Sequence, residues 1–169
     1  MDIKLKITPI LEDKEGRISS SRIRDLLQKS DLRNSFKILN RPYSFNGKVV
    51  KGKGIGKSIG WPTANLEIDG RKFLPGEGVY AAWTTIENSN QKIESIMNLG
   101  SQPTINPLFP SAVEVHLINK DIDLYGLNLC VEPIEKLRSQ IKFKNVDQLS
   151  NQIQKDRDNA LNIFQTYKI

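Results

Sequence analysis

The chain has 169 residues, a net charge of +6 and a pI near 9.4, with 38% hydrophobic residues and a mean hydropathy of −0.42. That is enough apolar material for one filled core, and no run of about 18 apolar residues exists that would cross a membrane. A single cysteine, Cys130, excludes an internal disulfide, and the charged start "MDIKLKITPI" lacks the apolar stretch of a secretory signal, so a cytoplasmic location is expected.

Residues 1–40 open on an alternating run, "IKLKITPI", which reads as a short strand. Ser19 to Ser21 then offer N-caps for a helix carrying Ile23, Leu26 and Leu27 on one face. Ser30 or Asp31 caps a second, with Leu32, Phe36 and Leu39. From 41 to 135 the texture changes. "SFNGKVVKG", "TANLEI", "GVYAAWTTIE", "IESIMNLG", "AVEVHLIN" and "LNLCVEPIEKL" are short, β-branched or alternating, and divided by Gly, Pro, Asn or Asp. Six such strands without helical spacing between them predict a mainly β fold, a small antiparallel barrel or sandwich. A barrel is favoured because closure removes exposed edges. Cys130 in "LNLCVEP" reads as a small buried residue. Residues 146–167 return to helix, with Asp147 as a candidate cap and Leu149, Ile153, Ala160, Ile163, Phe164 and Tyr167 as one apolar stripe.

The basic balance suits either a polyanion or an enzyme of phosphorylated metabolites. The lysines are spread along the chain without a stripe of interleaved aromatics, so no nucleic-acid partner and no membrane partner are expected.

The stretch Gly52 to Asn65, "GKGIGKSIGWPTAN", invites comparison with phosphate loops. A Walker A loop fails on spacing, since Gly52 stands only four residues before Gly56, and Pro62 forbids the long helix that must follow. What remains is a glycine flap between two strands, able to bring backbone N–H groups and Lys57 close to an anion. Thr63 and Asn65, two apart on an extended segment, point the same way and are hard oxygen donors suited to Mg²⁺ and its phosphates. Composition alone favours a mobile surface loop with a turn. Glu114 adds a partner. In "SAVEVHLIN" it alternates with Val113, Val115 and Leu117, placing a carboxylate opposite the core-like face, where it could take a proton from a substrate hydroxyl. A plain solvated strand-face acid is the other reading. His116, the only histidine, shares that face and has no second ligand with which to build a zinc site.

Taken in order, "GKSIGWPTANLEI", "LPGEGVYAAW", "NLGSQPTIN", "VEVHLIN" and "DLYG" resemble the riboflavin kinase module of bacterial bifunctional riboflavin kinase/FMN adenylyltransferases. The preceding "GRISSSRIRDLLQKSDLRNSFKILNRPYSFNGKVV" resembles the junction between their two modules. The likeness implies a six-stranded barrel with a C-terminal helix and a small N-terminal helical segment. It implies ATP- and Mg²⁺-dependent phosphorylation of riboflavin to FMN, with ADP as the other product. Carried over by residue, Glu114 would be the catalytic base, and Thr63 and Asn65 would hold Mg²⁺ and the ATP phosphates. Gly56 and Lys57 would belong to the flap, Tyr125 would lie near the nucleotide, and Arg138 and Phe143 would approach the flavin.

The resemblance divides the chain into a remnant or linker of an adenylyltransferase domain, 1–40, and a kinase domain, 41–169. In the family the kinase is normally fused to that adenylyltransferase domain. The fused domain's His-x-Gly-His-type motif cannot fit a chain with one histidine, so FAD synthesis is not expected. Trp61 stands where the family usually has a smaller apolar residue or Phe, and Lys144 where an acid is common. Two alternatives stay open at this point: a flavin-binding barrel without kinase activity, and a nucleic-acid-binding small barrel.

Overall fold

The computed structural model describes residues 9–52, 54–100 and 113–167. A hairpin of β1 (Glu12–Asp13) and β2 (Gly16–Arg17) leads into α1 (Ser20–Gln28) and α2 (Leu32–Leu39). Then follow β3 (Phe45–Val50), a single helical turn α3 (Ile55–Ser58), β4 (Ala64–Ile68), β5 (Gly78–Ile86), β6 (Lys92–Leu99), β7 (Val113–Leu117) and β8 (Asn128–Arg138). The chain closes with α4 (Val146–Thr166). Residues 3–8 of the expected strand "IKLKITPI" and part of "NLGSQPTIN" lie outside the described residues, and Pro9 and Ile10 are not in a strand.

Strands β3 to β8 form a closed antiparallel barrel in the order β3-β4-β7-β6-β5-β8. All six strands read from the sequence are present. Alternation decides which side chains enter: Phe45, Val49, Leu66, Tyr80, Met97, Leu99, Val113, Val115, Leu129 and Val131 fill the interior. β5 departs from alternation because it is buried on both faces. Its Val79 and Ala81 join Ile96, Ile134, Ala160 and Phe164 in a second cluster, where α4 lies against the outside of the barrel. This external layer explains why "GVYAAW" reads as an unbroken apolar run.

Three local readings need correction. Asn145, not Asp147, caps α4, accepting from the Gln148 N–H at 2.9 Å, while Asp147 sits in the first turn and favours the helix dipole. On α2, Asp31 is the cap, and the buried position goes to Ser35 while Phe36 is 38% exposed. The buried face of α2 runs through Leu32 and Ser35, three residues apart, which leaves Phe36 on its exposed side. Cys130 is half-buried rather than buried, because it falls on the outward face of β8. Burial nonetheless pushes its thiol above the ordinary range, which keeps it protonated.

The helix pair α1–α2 stoppers the barrel. Leu27 and Leu32 belong to the interior cluster, and the Gly76 N–H donates to the Leu27 carbonyl at 3.0 Å. Ser30, at φ 61°, brings its hydroxyl to 2.8 Å from the Tyr80 hydroxyl, which also bonds the Gly76 carbonyl. Replacing Leu27, 1% exposed, by alanine is therefore expected to cost ~2–5 kcal/mol, as for a barrel-wall leucine. A denaturant titration checks this. A midpoint unchanged from the parent would mean that the helix pair is not part of the core.

Candidate active site

Cross-strand register builds the site on the outer face of the barrel. Glu114 on β7 pairs with Asn65 on β4 and with Asn98 on β6. Since directly opposed residues share a face at ~4.5–5.5 Å between Cβ atoms, Asn65, Glu114 and Asn98 form one polar row across three strands. Among the described residues the Glu114 carboxylate takes part in no ion pair.

The glycine stretch lies directly on this row. A Cβ on Gly52 would stand 2.0 Å from Asn65 Nδ2, and one on Gly56 would stand 2.3 Å from the Trp61 carbonyl and 3.1 Å from Thr63 Oγ1. The flap backbone thus rests against Thr63 and Asn65, and at Gly56, where a Cβ would meet backbone, only glycine fits. It is not a plain loop: Gly54 at φ 72° starts the turn α3, and Gly60 at φ 81° ends it ahead of Pro62.

Of the hollows that border the flap, two meet at Thr63. The larger, about 870 Å³, has Asn65, Asn98 and Glu114 on its barrel side, with Arg138, Phe143 and Leu149 among its other walls. The smaller, about 540 Å³, holds Lys57, Lys120 and Tyr125. Lys51, Gly52 and Thr63 line both and so mark their junction. The structure therefore gathers Gly56, Thr63, Asn65, Glu114, Arg138 and Phe143 about the larger hollow, and puts Lys57 and Tyr125 in the smaller.

Arg138 is firmly held. Its Nε lies 3.0 Å from both carboxylate oxygens of Asp156 on α4, and its Nη2 donates to Oδ2 at 2.8 Å. Gln152 adds a donor to Oδ1 at 2.9 Å, and the guanidinium carbon stands 5.8 Å from the Phe143 ring centroid. Beside it, Gln140 donates to both Asn98 Oδ1 and the Leu99 carbonyl at 2.8 Å. Asp156, Gln140 and Asn98 escaped sequence reading. Asn98 was visible only as part of "NLG", and the buried acid of α4 breaks the apolar stripe that flagged that helix.

His116 has a structural part. Its Nδ1 lies 2.8 Å from the Pro62 carbonyl, which can only accept, so Nδ1 carries the hydrogen. Its ring meets Trp61 edge-on at 5.4 Å and 72°. Burial holds its pKa below the usual histidine value, with Arg157 acting in the same direction. A ¹⁵N spectrum at neutral pH is expected to show this single histidine as the neutral Nδ1–H tautomer. Predominance of the Nε2–H form would contradict the bond to Pro62.

Among the described residues no three acidic, histidine or cysteine side chains are grouped as a metal site, and no helix is long and apolar enough to cross a membrane.

Comparison with known proteins agrees with this architecture. The Flavokinase (riboflavin kinase) family model matches residues 39–164. The bifunctional riboflavin kinase/FMN adenylyltransferase of Haemophilus influenzae is 38% identical over 148 residues, 88% of this chain and 47% of that protein. The Bacillus subtilis enzyme of the same description is 33% identical over 156 residues, 91% of this chain and 49% of that one. The chain thus spans about half the length of these relatives. A crystal structure described as a macrolide-efflux protein from Streptococcus pneumoniae superposes with a TM-score of 0.81 at 31% identity, covering 95% of this chain and 51% of that chain. The riboflavin kinase of Trypanosoma brucei shares the fold, with a TM-score of 0.56 at 20% identity over 73% of this chain and 80% of that one. Residues 39–164 carry a riboflavin kinase domain, and the chain belongs to the riboflavin kinase family.

Proposed function

We propose that this chain transfers the terminal phosphoryl group of ATP to the 5′-hydroxyl of the riboflavin ribityl chain, giving FMN and ADP. The observation that carries this is the polar row Asn65–Glu114–Asn98 set beside Thr63, where the two hollows join. The larger hollow, with Phe143 and Arg138 in its wall, takes the flavin. The smaller, with Lys57 and Tyr125, takes the nucleotide. The ribityl hydroxyl then reaches the phosphoryl group beside Glu114. As the new O–P bond forms and the bond to the ADP oxygen breaks, the hydroxyl proton passes to the Glu114 carboxylate.

Thr63 and Asn65 fit Mg²⁺ as neutral hard-oxygen donors for an ion that arrives with the phosphates and keeps much of its water. When bound, Mg²⁺ neutralises charge on the transferring group. The flap backbone near Gly56, together with Lys57, adds fixed positive dipoles and charge to the same end. We assign the kinase unit to 41–169 and 1–40 to the segment that joins it to an adenylyltransferase in the longer relatives, and we place the reaction in the cytoplasm.

Incubation with riboflavin, ATP and Mg²⁺, followed by chromatography, is expected to yield FMN without FAD. Tight riboflavin binding with no FMN formed would replace this reading by that of a flavin-binding barrel. Thr63→Ala is expected to raise the MgATP concentration needed for half-maximal rate, and an unchanged MgATP dependence would remove Thr63 from the clamp.

A further inference from the structure

Among the described residues of the flap, Trp61 lines the larger hollow and reaches α4. Its indole Nε1–H donates to Ser150 Oγ at 3.0 Å, and its backbone N–H donates to the Gly56 carbonyl at 2.8 Å. On the barrel side, its ring edge meets His116, and His116 in turn holds the Pro62 carbonyl. Trp61 is therefore fastened at three points, and Thr63 follows two residues later on a backbone restricted by Pro62. The far end of the link is equally placed. Ser150 itself does not line the hollow, but its neighbours Leu149 and Ile153 do.

We propose that the Trp61–Ser150 hydrogen bond is a clasp that couples the two substrate compartments, so that filling the flavin side strengthens binding on the nucleotide side. This rests on the kinase reading given above. A ligand entering beside Leu149 and Ile153 sets the position of α4 and hence of Ser150. The clasp transmits that position to Trp61, and the Pro62 turn carries it to Thr63. The residue type matters. The indole carries an N–H donor that a phenyl ring lacks, so phenylalanine at 61 would fill most of the space and leave Ser150 unlinked. Trp61 and Ser150 are thus positioning residues, acting on substrate through Thr63 and α4. By linkage the effect is reciprocal: each ligand tightens the other by the same factor. One neutral hydrogen bond made in only one state limits that factor to roughly three- to tenfold.

The test uses the full chain and calorimetric titration with riboflavin, with a non-hydrolysable ATP analogue plus Mg²⁺, and with each in the presence of the other. The parent is expected to show mutual tightening of roughly three- to tenfold. Ser150→Ala, which is well tolerated in a helix, is expected to bring that factor to about one, with Tm nearly unchanged and kcat within about twofold. Trp61→Phe is expected to lose the coupling as well. Coupling that persists in both variants overturns the proposal, as does a parent that binds both ligands independently while making FMN. A parent that binds neither ligand overturns the kinase reading and this inference together.

Discussion

Glu114→Gln is expected to lower kcat by about 10²-fold or more, within the ~10²–10⁴ that a positioned general base supplies, while both KM values stay within a few-fold. A primary alcohol is a poor nucleophile, and its proton must leave as the bond to phosphorus forms. Glutamine keeps the size of the side chain and its place between Asn65 and Asn98 but cannot take the proton. The loss should therefore appear in the chemical step and not in binding. Single-turnover measurement of FMN formation separates the two. Near-normal turnover in this variant would remove Glu114 from the chemistry and leave the row as a binding surface only.

Arg138→Met is expected to destabilise the fold by ~3–5 kcal/mol, because it strands a carboxylate that is almost fully buried. The Asp156 side chain is 3% exposed and Arg138 16%, and three of the four short contacts to that carboxylate come from the guanidinium. Gln152 alone cannot compensate the remaining charge. Replacing both partners, Arg138→Met with Asp156→Leu, is expected to recover most of the loss, since a fitted apolar pair removes the buried charge altogether. Denaturant midpoints of the parent and the three variants, Asp156→Leu included, form the cycle. Single variants that unfold at the parent's midpoint would show the pair to be a surface contact. Arg138 was expected beside the flavin on resemblance. The structure shows its guanidinium tying α4 to the end of β8, so any contact with flavin comes from a group already locked in orientation.

The barrel itself was legible from local pattern. Each of its six strands announces itself by alternation or β-branching between turn residues, and period-two burial then settles which face is core. Thr63, Asn65 and Glu114 were legible for the same reason: each sits on a face that alternation assigns without any knowledge of pairing. The helix pair was legible as helix but not as a stopper. Leu27 and Leu32 look like any amphipathic stripe until Gly76 and Tyr80 arrive from more than forty residues away.

Taken alone, the sequence determined the six β3–β8 strands, the helices α1, α2 and α4, and the place of the glycine stretch with its Thr63–Asn65 ending, because these depend on backbone preference and short-range spacing. Tertiary structure alone decided the register that sets Glu114 between Asn65 and Asn98, the burial of Asp156 against Arg138, and the meeting of two hollows at Thr63. Each of these joins side chains that are distant in the chain. The free energies involved come from barrel closure and helix docking, which no local window contains.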